Sequence, residues 1–309
     1  MTDSLRSFHG FSGDFTIIGT GRVGSSLARA LYRRGYRLRS LYSRTAEHGR
    51  ILAAQTESRY CGRFPEHPDD LGEVVFLCLP DDQLPVYAGQ MAKWLQGHPD
   101  GHMSGRIWIH TSGTHSSDVL HPVAGEGLSA GFHPVQTFPF RERTTAFDGC
   151  FVTLQGSRSL CEKLKGLVAA LGARPLIVDR RQKQAIHLSA VFVSNYMASL
   201  FHAARCILAE YGVEVRSQEL LRPLVEQTVA GLLEKTPVEV LTGPVARGDA
   251  GTVARHLDLL ESLPEIRELY ASLGRTALDI VAETPGRDLS ADDEIRQLLS
   301  EKRKDDHAG

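Results

Sequence analysis

From residue 14 onward, short apolar runs alternate with amphipathic stretches along the first half of the chain. "FTIIG", "RLRSLYS", "VVFLCLP" and "IWIHTSG" have the length and the turn-rich flanks of strands, and the segments at 22–34, from about 45 and at 82–95 carry the 3.6-residue apolar period of helices. Further strands are expected at 128–133, 150–154 and 175–178, with a helix at about 157–171. Alternating strands and helices form a parallel sheet covered by helices. After residue 180 the alternation stops. Helices are expected at 181–211, 216–235, 249–261, 263–283 and 290–303, punctuated by "EYGVEV", "LTGPVARGD" and "ETPGRD". The pattern therefore predicts an α/β domain over 1–179 and an all-helical domain over 180–309.

Composition narrows the class without changing the fold. The 309 residues suit two ordinary domains, and 42% hydrophobic with 23% charged residues is the balance of a globular protein. A net charge of −2 offers no basic excess for a phosphate backbone, so no nucleic-acid partner is expected. No apolar run approaches the roughly 20 residues of a bilayer span, and "MTDSLRSFHG" lacks an apolar signal core. The reading is a cytoplasmic protein without a membrane partner. Five scattered cysteines without a CxxC pair suggest neither disulfides nor a metal site. The polar ends, 1–12 and "EKRKDDHAG", are expected to fray.

Candidate chemistry begins at the first strand. Gly19-Thr20-Gly21-Arg22-Val23-Gly24 follows an apolar run and opens an amphipathic helix. In that context the first glycine makes the turn, the second lets the backbone approach a pyrophosphate and the third lets helix and strand pack, as in a Rossmann-like sheet. The end of the next strand selects the nucleotide. An NAD site usually places Asp or Glu there, whereas this chain has Ser43, Arg44 and Thr45. A guanidinium beside hydroxyls suits a 2′-phosphate, which favours NADP. The alternative for Arg44 is a solvated residue at a helix start.

Ligands in such sheets lie beyond the carboxyl ends of the strands. Those ends are Leu79-Pro80-Asp81-Asp82, Thr111-Ser112-Gly113-Thr114 and His133-Pro134 with Gln136 and Thr137. Leu79, Pro80 and Thr111 would join the cofactor site, and Ser112, Gly113, His133 and Gln136 would bind substrate. Asp81 and Asp82 read better as a helix cap, and for His133 binding and capping are equally open. The helix opening "KQAIHLSAVFVSN" then gains a purpose. Lys183, His187 and Ser194 share one stripe on an otherwise apolar helix. Lys183 is the candidate general acid, His187 a relay or binder, and Ser194 and Asn195 anchors for substrate. The alternative is a lysine reaching water and satisfied core polar groups.

Taken together, "FTIIGTGRVG", "HTSGT", "GFHPVQTF", "KQAIHLSAVFVSNY" and "LTGPVARGDAGTVARHL" resemble the bacterial proteins that join a Rossmann-like domain to the C-terminal domain of unknown function 2520. The resemblance covers about residues 14–265 and implies an NADP-dependent oxidoreductase. More distantly, the chain is similar to the 6-phosphogluconate dehydrogenase, ketopantoate reductase and pyrroline-5-carboxylate reductase superfamily. The β-hydroxyacid dehydrogenases of that superfamily have a catalytic Lys followed four residues later by Asn. Lys183 matches the first, but His187 stands at the second, which departs from their hydroxy-acid chemistry. The resemblance implies that Arg247 and Asp249 contribute to the cleft or to a partner subunit's cleft, with a helix cap as the alternative for Asp249.

The expected activity is hydride transfer between NADPH and the C=O or C=N of a small polar metabolite. The rivals are a catalytically silent NADP(H)-binding redox sensor and a methyltransferase, and a deazaflavin stays open as a second redox partner. The apolar "VFVSNYMASLFHAARCILAEYG" suggests a homodimer through the helical domain.

Overall fold

The computed structural model describes residues 13–98, 105–124, 128–138, 146–284, 286–287 and 290–300; the two polar ends expected to fray lie outside these. The described residues divide into two compact units, Met1–Asn195 and Tyr196–Gly309. This division and the boundary expected at 179 differ by one helical segment, residues 180–195, which belongs with the sheet.

The first unit is an eight-stranded sheet. Its strands are β1 (Phe15–Ile18), β2 (Leu38–Tyr42), β3 (Arg59–Tyr60), β4 (Val74–Leu77), β5 (Ile107–His110), β6 (Ser129–Val135), β7 (Phe151–Gly156) and β8 (Arg174–Ile177). They lie in the order β3-β2-β1-β4-β5-β6-β7-β8. Every pairing is parallel except β6 with β7. The order reverses between β1 and β4, which places a ligand crevice at their carboxyl ends.

Helices α1 (Arg22–Arg33), α2 (Ala46–Gln55), α3 (Leu84–Gln96), α4 (His121–Ala124), α5 (Arg158–Ala170) and α6 (Arg180–Ala190) complete the unit. Alternate strand residues feed opposite faces. Phe15, Ile17, Val74 and Phe76 pack with Leu27 and Leu31 of α1, whereas Ile18, Val75 and Leu77 pack with Leu84, Ala88 and Met91 of α3. Burial on both faces explains why β1, β4 and β5 read as continuous apolar runs.

The helical run does not stop at α6. A π turn, Val191–Asn195, leads into α7 (Tyr196–Glu210). Within Arg180–Glu210 an 18-residue window has a mean hydropathy of 1.2 and is 6% buried, so by length and composition alone this helix is apolar enough to cross a membrane. Polar residues are dispersed along it, so it holds no continuous apolar run of the roughly 20 residues of a bilayer span.

The second unit continues with α8 (Ser217–Glu234), α9 (Pro237–Val240), α10 (Pro244–Arg247), α11 (Ala250–Leu259), α12 (Pro264–Ala282) and α13 (Ser290–Leu298). Val253, Leu257, Leu278, Val281, Ile295 and Leu299 form its core. Arg287 clamps Asp292 through two hydrogen bonds of 2.8 and 2.6 Å and donates to the Val245 and Ala246 carbonyls, which fastens the approach to α13 onto α10.

Candidate functional site

The glycine loop is built as its spacing implies. Gly19 has φ +95°, and a Cβ there would lie 2.4 Å from the Cys78 carbonyl oxygen. A Cβ on Gly24 would lie 1.9 Å from the Gly19 carbonyl oxygen, so α1 can approach β1 only with glycine at that position. Gly21 differs. A Cβ there would meet no atom within 4 Å, so this glycine faces open space rather than protein. It is also the N-cap of α1, with no side-chain cap and no acidic residue in the first turn, which leaves the helix N-terminus open to an anion.

The loop borders a cleft of about 910 Å³. Gly19, Thr20, Gly21 and Arg22 line it from β1, Ser43, Arg44 and Thr45 from the end of β2, and Leu79 and Pro80 from the end of β4. Of the cofactor residues expected from sequence, Val23, Gly24 and Thr111 are not on its wall. Val23 packs against the core, and Gly24 acts through packing. Arg44 is exposed at the rim, where Ser43 Oγ accepts from the Thr45 N–H at 3.2 Å.

Sequence reasoning missed His48, Arg63, Tyr42 and Tyr87 on the same wall. Arg63 lies just past the two-residue strand β3, which is too short to give a period. Three hydroxyls on this wall, Thr20 Oγ1, Tyr42 OH and Tyr87 OH, are buried without a hydrogen-bond partner among the described residues. Buried polar atoms are almost always paired, so the wall fits a ligand rich in polar groups. A dinucleotide, with its pyrophosphate at the open end of α1 and its ribose hydroxyls along the wall, meets that requirement.

The β4 loop links this cleft to a second cluster. Asp81, directly after Pro80, accepts from Thr114 Oγ1 at 2.6 Å, and its carbonyl pairs with His115 Nε2 at 2.9 Å. This corrects the expected capping role of Asp81 and Asp82: α3 starts at Leu84 with Gln83 as its N-cap, and neither aspartate caps it. Burial works to raise the Asp81 pKa, but the Thr114 and Ser112 hydroxyls, with His115 and His187 nearby, outweigh it and hold the carboxyl below its ordinary value. Ser112 Oγ accepts from the Thr114 and His115 N–H groups at 3.2 and 3.0 Å, so this oxygen shapes its own loop.

Lys183 is the centre of the cluster. A capping box made by Asp179 and Gln182 starts α6, and Lys183 lies one residue beyond it. Its side chain is only 1% exposed, and Nζ donates to the His115 carbonyl oxygen. Burial lowers its pKa to about 8, with Asp81 opposing the shift. The alternative of a lysine reaching water therefore does not hold.

His187, one turn on, meets the His133 ring edge to face at 5.2 Å between centroids. It also lies where Gly113 has no side chain, since a Cβ there would come within 2.3 Å of His187 Nδ1. His133 Nδ1 pairs with the Thr111 carbonyl at 3.1 Å, so Nδ1 carries the proton and Nε2 has a free lone pair. Burial, then the neighbouring His187 and Lys183, push its pKa down to about 4, against the raising effect of the Thr111 carbonyl. A neutral imidazole, a buried lysine with a lowered pKa and a constrained Gly113 turn thus come together. Such a set can bind a carbonyl or imine and donate a proton to it.

The remaining expected residues are less central. Ser194, in the π turn, is exposed and bonds Thr137 Oγ1 at 3.1 Å. Gln136 is exposed and its Oε1 accepts from the Thr137 N–H, while Asn195 is exposed beside Ser194. Asp249 caps α11 through the Thr252 N–H at 2.9 Å, as the simpler alternative for it requires, and Arg247 ends α10. His110 and His115 were not singled out from sequence, although both stand within or beside "HTSGT". His110 closes a fully buried strand, where burial on both faces hides which way a side chain points.

Comparisons agree with this architecture. A Rossmann-like domain matches residues 11–134, and the domain of unknown function 2520 matches residues 150–277. No curated protein matches the chain. Among solved structures, the provisionally assigned NADP oxidoreductase BF3122 from Bacteroides fragilis is 26% identical with a TM-score of 0.69, covering 89% of this chain and 100% of that one. Protein TM1727 from Thermotoga maritima is 21% identical with a TM-score of 0.70, covering 87% and 100%. An imine reductase from Myxococcus stipitatus in complex with NADP+ shares the fold at 17% identity and a TM-score of 0.56, covering 87% and 93%. The chain belongs to the proteins that join a Rossmann-like domain to the domain of unknown function 2520.

Proposed function

We propose that this protein is an NADP(H)-dependent oxidoreductase acting on the C=O or C=N bond of a small polar metabolite. The observation that carries the reading is the pairing of two features joined by the loop after β4: a cleft lined by the glycine loop and, beyond Asp81 and Thr114, a buried lysine whose Nζ donates to the His115 carbonyl. Arg44 and Arg63 on the cleft wall, with no carboxylate at the end of β2, favour a 2′-phosphate. The bound nicotinamide would exchange a hydride with the substrate carbon. Lys183 Nζ would donate a proton to the carbonyl oxygen or imine nitrogen in the reducing direction and accept it back in the other. With a pKa near the working pH, the lysine serves both directions. His187 and His133 Nε2 would hold the substrate's polar group, with Ser112, Gly113 and Gln136 shaping the turn around it and Ser194 and Asn195 at the outer edge.

The test is a fluorescence titration of NADPH and NADH followed by a carbonyl and imine screen. NADPH should bind more tightly than NADH, and Arg44→Ala should weaken NADPH about tenfold with little change for NADH. Lys183→Met should keep NADPH affinity and lose turnover. Failure of both nucleotides to bind overturns the reading; binding without turnover on any substrate leaves a nucleotide-responsive sensor.

We also propose that the protein pairs with a second copy of itself. In the helical unit, Leu220, Leu224, Leu232 and Leu233 of α8 are between 48% and 82% exposed, a concentration of apolar surface that suits a subunit contact. Sedimentation as a monomer at micromolar concentration would reject this.

A further inference from the structure

Gly131 on β6 lies directly across from His110 on β5 in the parallel register. Paired residues of neighbouring strands project to the same face, so the missing side chain at 131 leaves a notch beside the His110 ring. Lys183 fills that notch. A Cβ on Gly131 would sit 2.7 Å from Lys183 Nζ and 3.3 and 3.4 Å from His110 Cε1 and Nε2. His110 is completely buried, and neither ring nitrogen has a hydrogen-bond partner among the described residues. The Ser116 backbone favours the charged ring without reaching bonding geometry. An ammonium has three donors, and the bond to the His115 carbonyl uses one. An unpaired buried imidazole and an under-bonded buried ammonium thus face one small space.

We propose that Gly131 and His110 form the seat of Lys183, with neutral His110 accepting a hydrogen bond from Nζ, directly or through one water, as a positioning residue. The inference deepens the role proposed for Lys183 and rests on that reading for its catalytic meaning, though the seat itself stands on geometry alone. Neutrality of the ring is consistent with its surroundings: burial first, then the Lys183 charge, with His115 and His133 adding to them, hold the His110 pKa well below its ordinary value. The titratable groups facing the seat are Asp81 after β4, His115 after β5, His133 on β6, and Lys183 and His187 on α6. Asp81 is the acidic one among them. An acceptor bonded to Nζ favours the charged lysine, so removing it lowers the lysine's proton affinity further.

The experiment is an NMR titration of lysine Nζ and Cε resonances in the intact protein, with Lys183 identified by its loss in Lys183→Met. Wild type should titrate near pH 8. His110→Leu should reduce the Lys183 proton affinity about tenfold, whereas His110→Gln, which keeps an acceptor, should stay close to wild type. Gly131→Ala should displace Nζ and shift its resonance. A Lys183 titration unmoved by His110→Leu overturns the proposal. If that variant does not fold, the ring nitrogens of His110 in wild type and Lys183→Met decide: a change in the Nε2 resonance supports the seat, and no change rejects it. No arm needs substrate or turnover, so loss of the seat leaves the oxidoreductase reading standing, and loss of that reading leaves the seat.

Discussion

At the residue scale, the three glycines of the first loop make separable predictions. Gly24→Ala forces a methyl against the Gly19 carbonyl, a backbone atom that cannot swing aside. Overpacking of this kind should cost about 1–3 kcal/mol in urea unfolding. Gly21→Ala meets no protein atom and has an ordinary φ of −68°, so its stability cost should stay below about 1 kcal/mol, the loss of a favourable cap. Its effect should appear in nucleotide binding instead, because the new methyl points where a pyrophosphate would lie. Similar losses of stability in both variants would mean that the loop is only structural. The spacing of these glycines made their roles legible in sequence. His110 was not legible, because its meaning depends on Gly131 across the sheet, a register no single strand encodes. Arg63 was hidden by the brevity of β3.

At the element scale, α6 depends on how it begins. Asp179 Oδ1 accepts from the Gln182 N–H at 2.8 Å, and Gln182 Oε1 accepts from the Asp179 N–H at 2.9 Å. Asp179→Ala should cost about 1 kcal/mol and speed amide exchange in the first turn, which carries Lys183. Unchanged exchange at residues 182–184 would show that sheet contacts alone hold the turn. Helices and parallel strands were legible because caps and apolar runs are local signals; α6 has both a cap and a clear start. The antiparallel pairing of β6 with β7 was not, since direction is set by how the chain returns to the sheet. The π turn at Val191–Asn195 was also hidden: the apolar pattern continues across it, and a stripe drawn at 100° per residue from Lys183 to Ser194 assumes an α-helix throughout. Ser194 accordingly meets Thr137, while Lys183 meets the strand ends.

At the scale of the whole molecule, burying Lys183 in the sheet unit makes stability depend on pH. Its pKa falls from 10.5 to about 8 on folding, so the folded state holds this proton less firmly than the unfolded chain. The sign follows by linkage: the favourable contribution is fully present only above pH 10.5 and is lost as pH falls toward 8. At pH 7 the burial of the ammonium therefore costs on the order of 3 kcal/mol relative to the neutral amine. His133 acts in the same direction in a lower window. Its pKa drops from 6.5 to about 4, so stability present above pH 6.5 is lost as pH falls toward 4. Lys183→Met should consequently unfold at a higher urea concentration than wild type at pH 7, and the gap should shrink as pH rises to 10. Below pH 6.5 the loss should be smaller in Lys183→Met, because the lysine's charge is one of the causes that hold the His133 and His110 pKa values down. A destabilised Lys183→Met at pH 7 would mean that hydrogen bonds to the ammonium outweigh its dehydration, and the lysine would then be a structural pin rather than a strained proton donor.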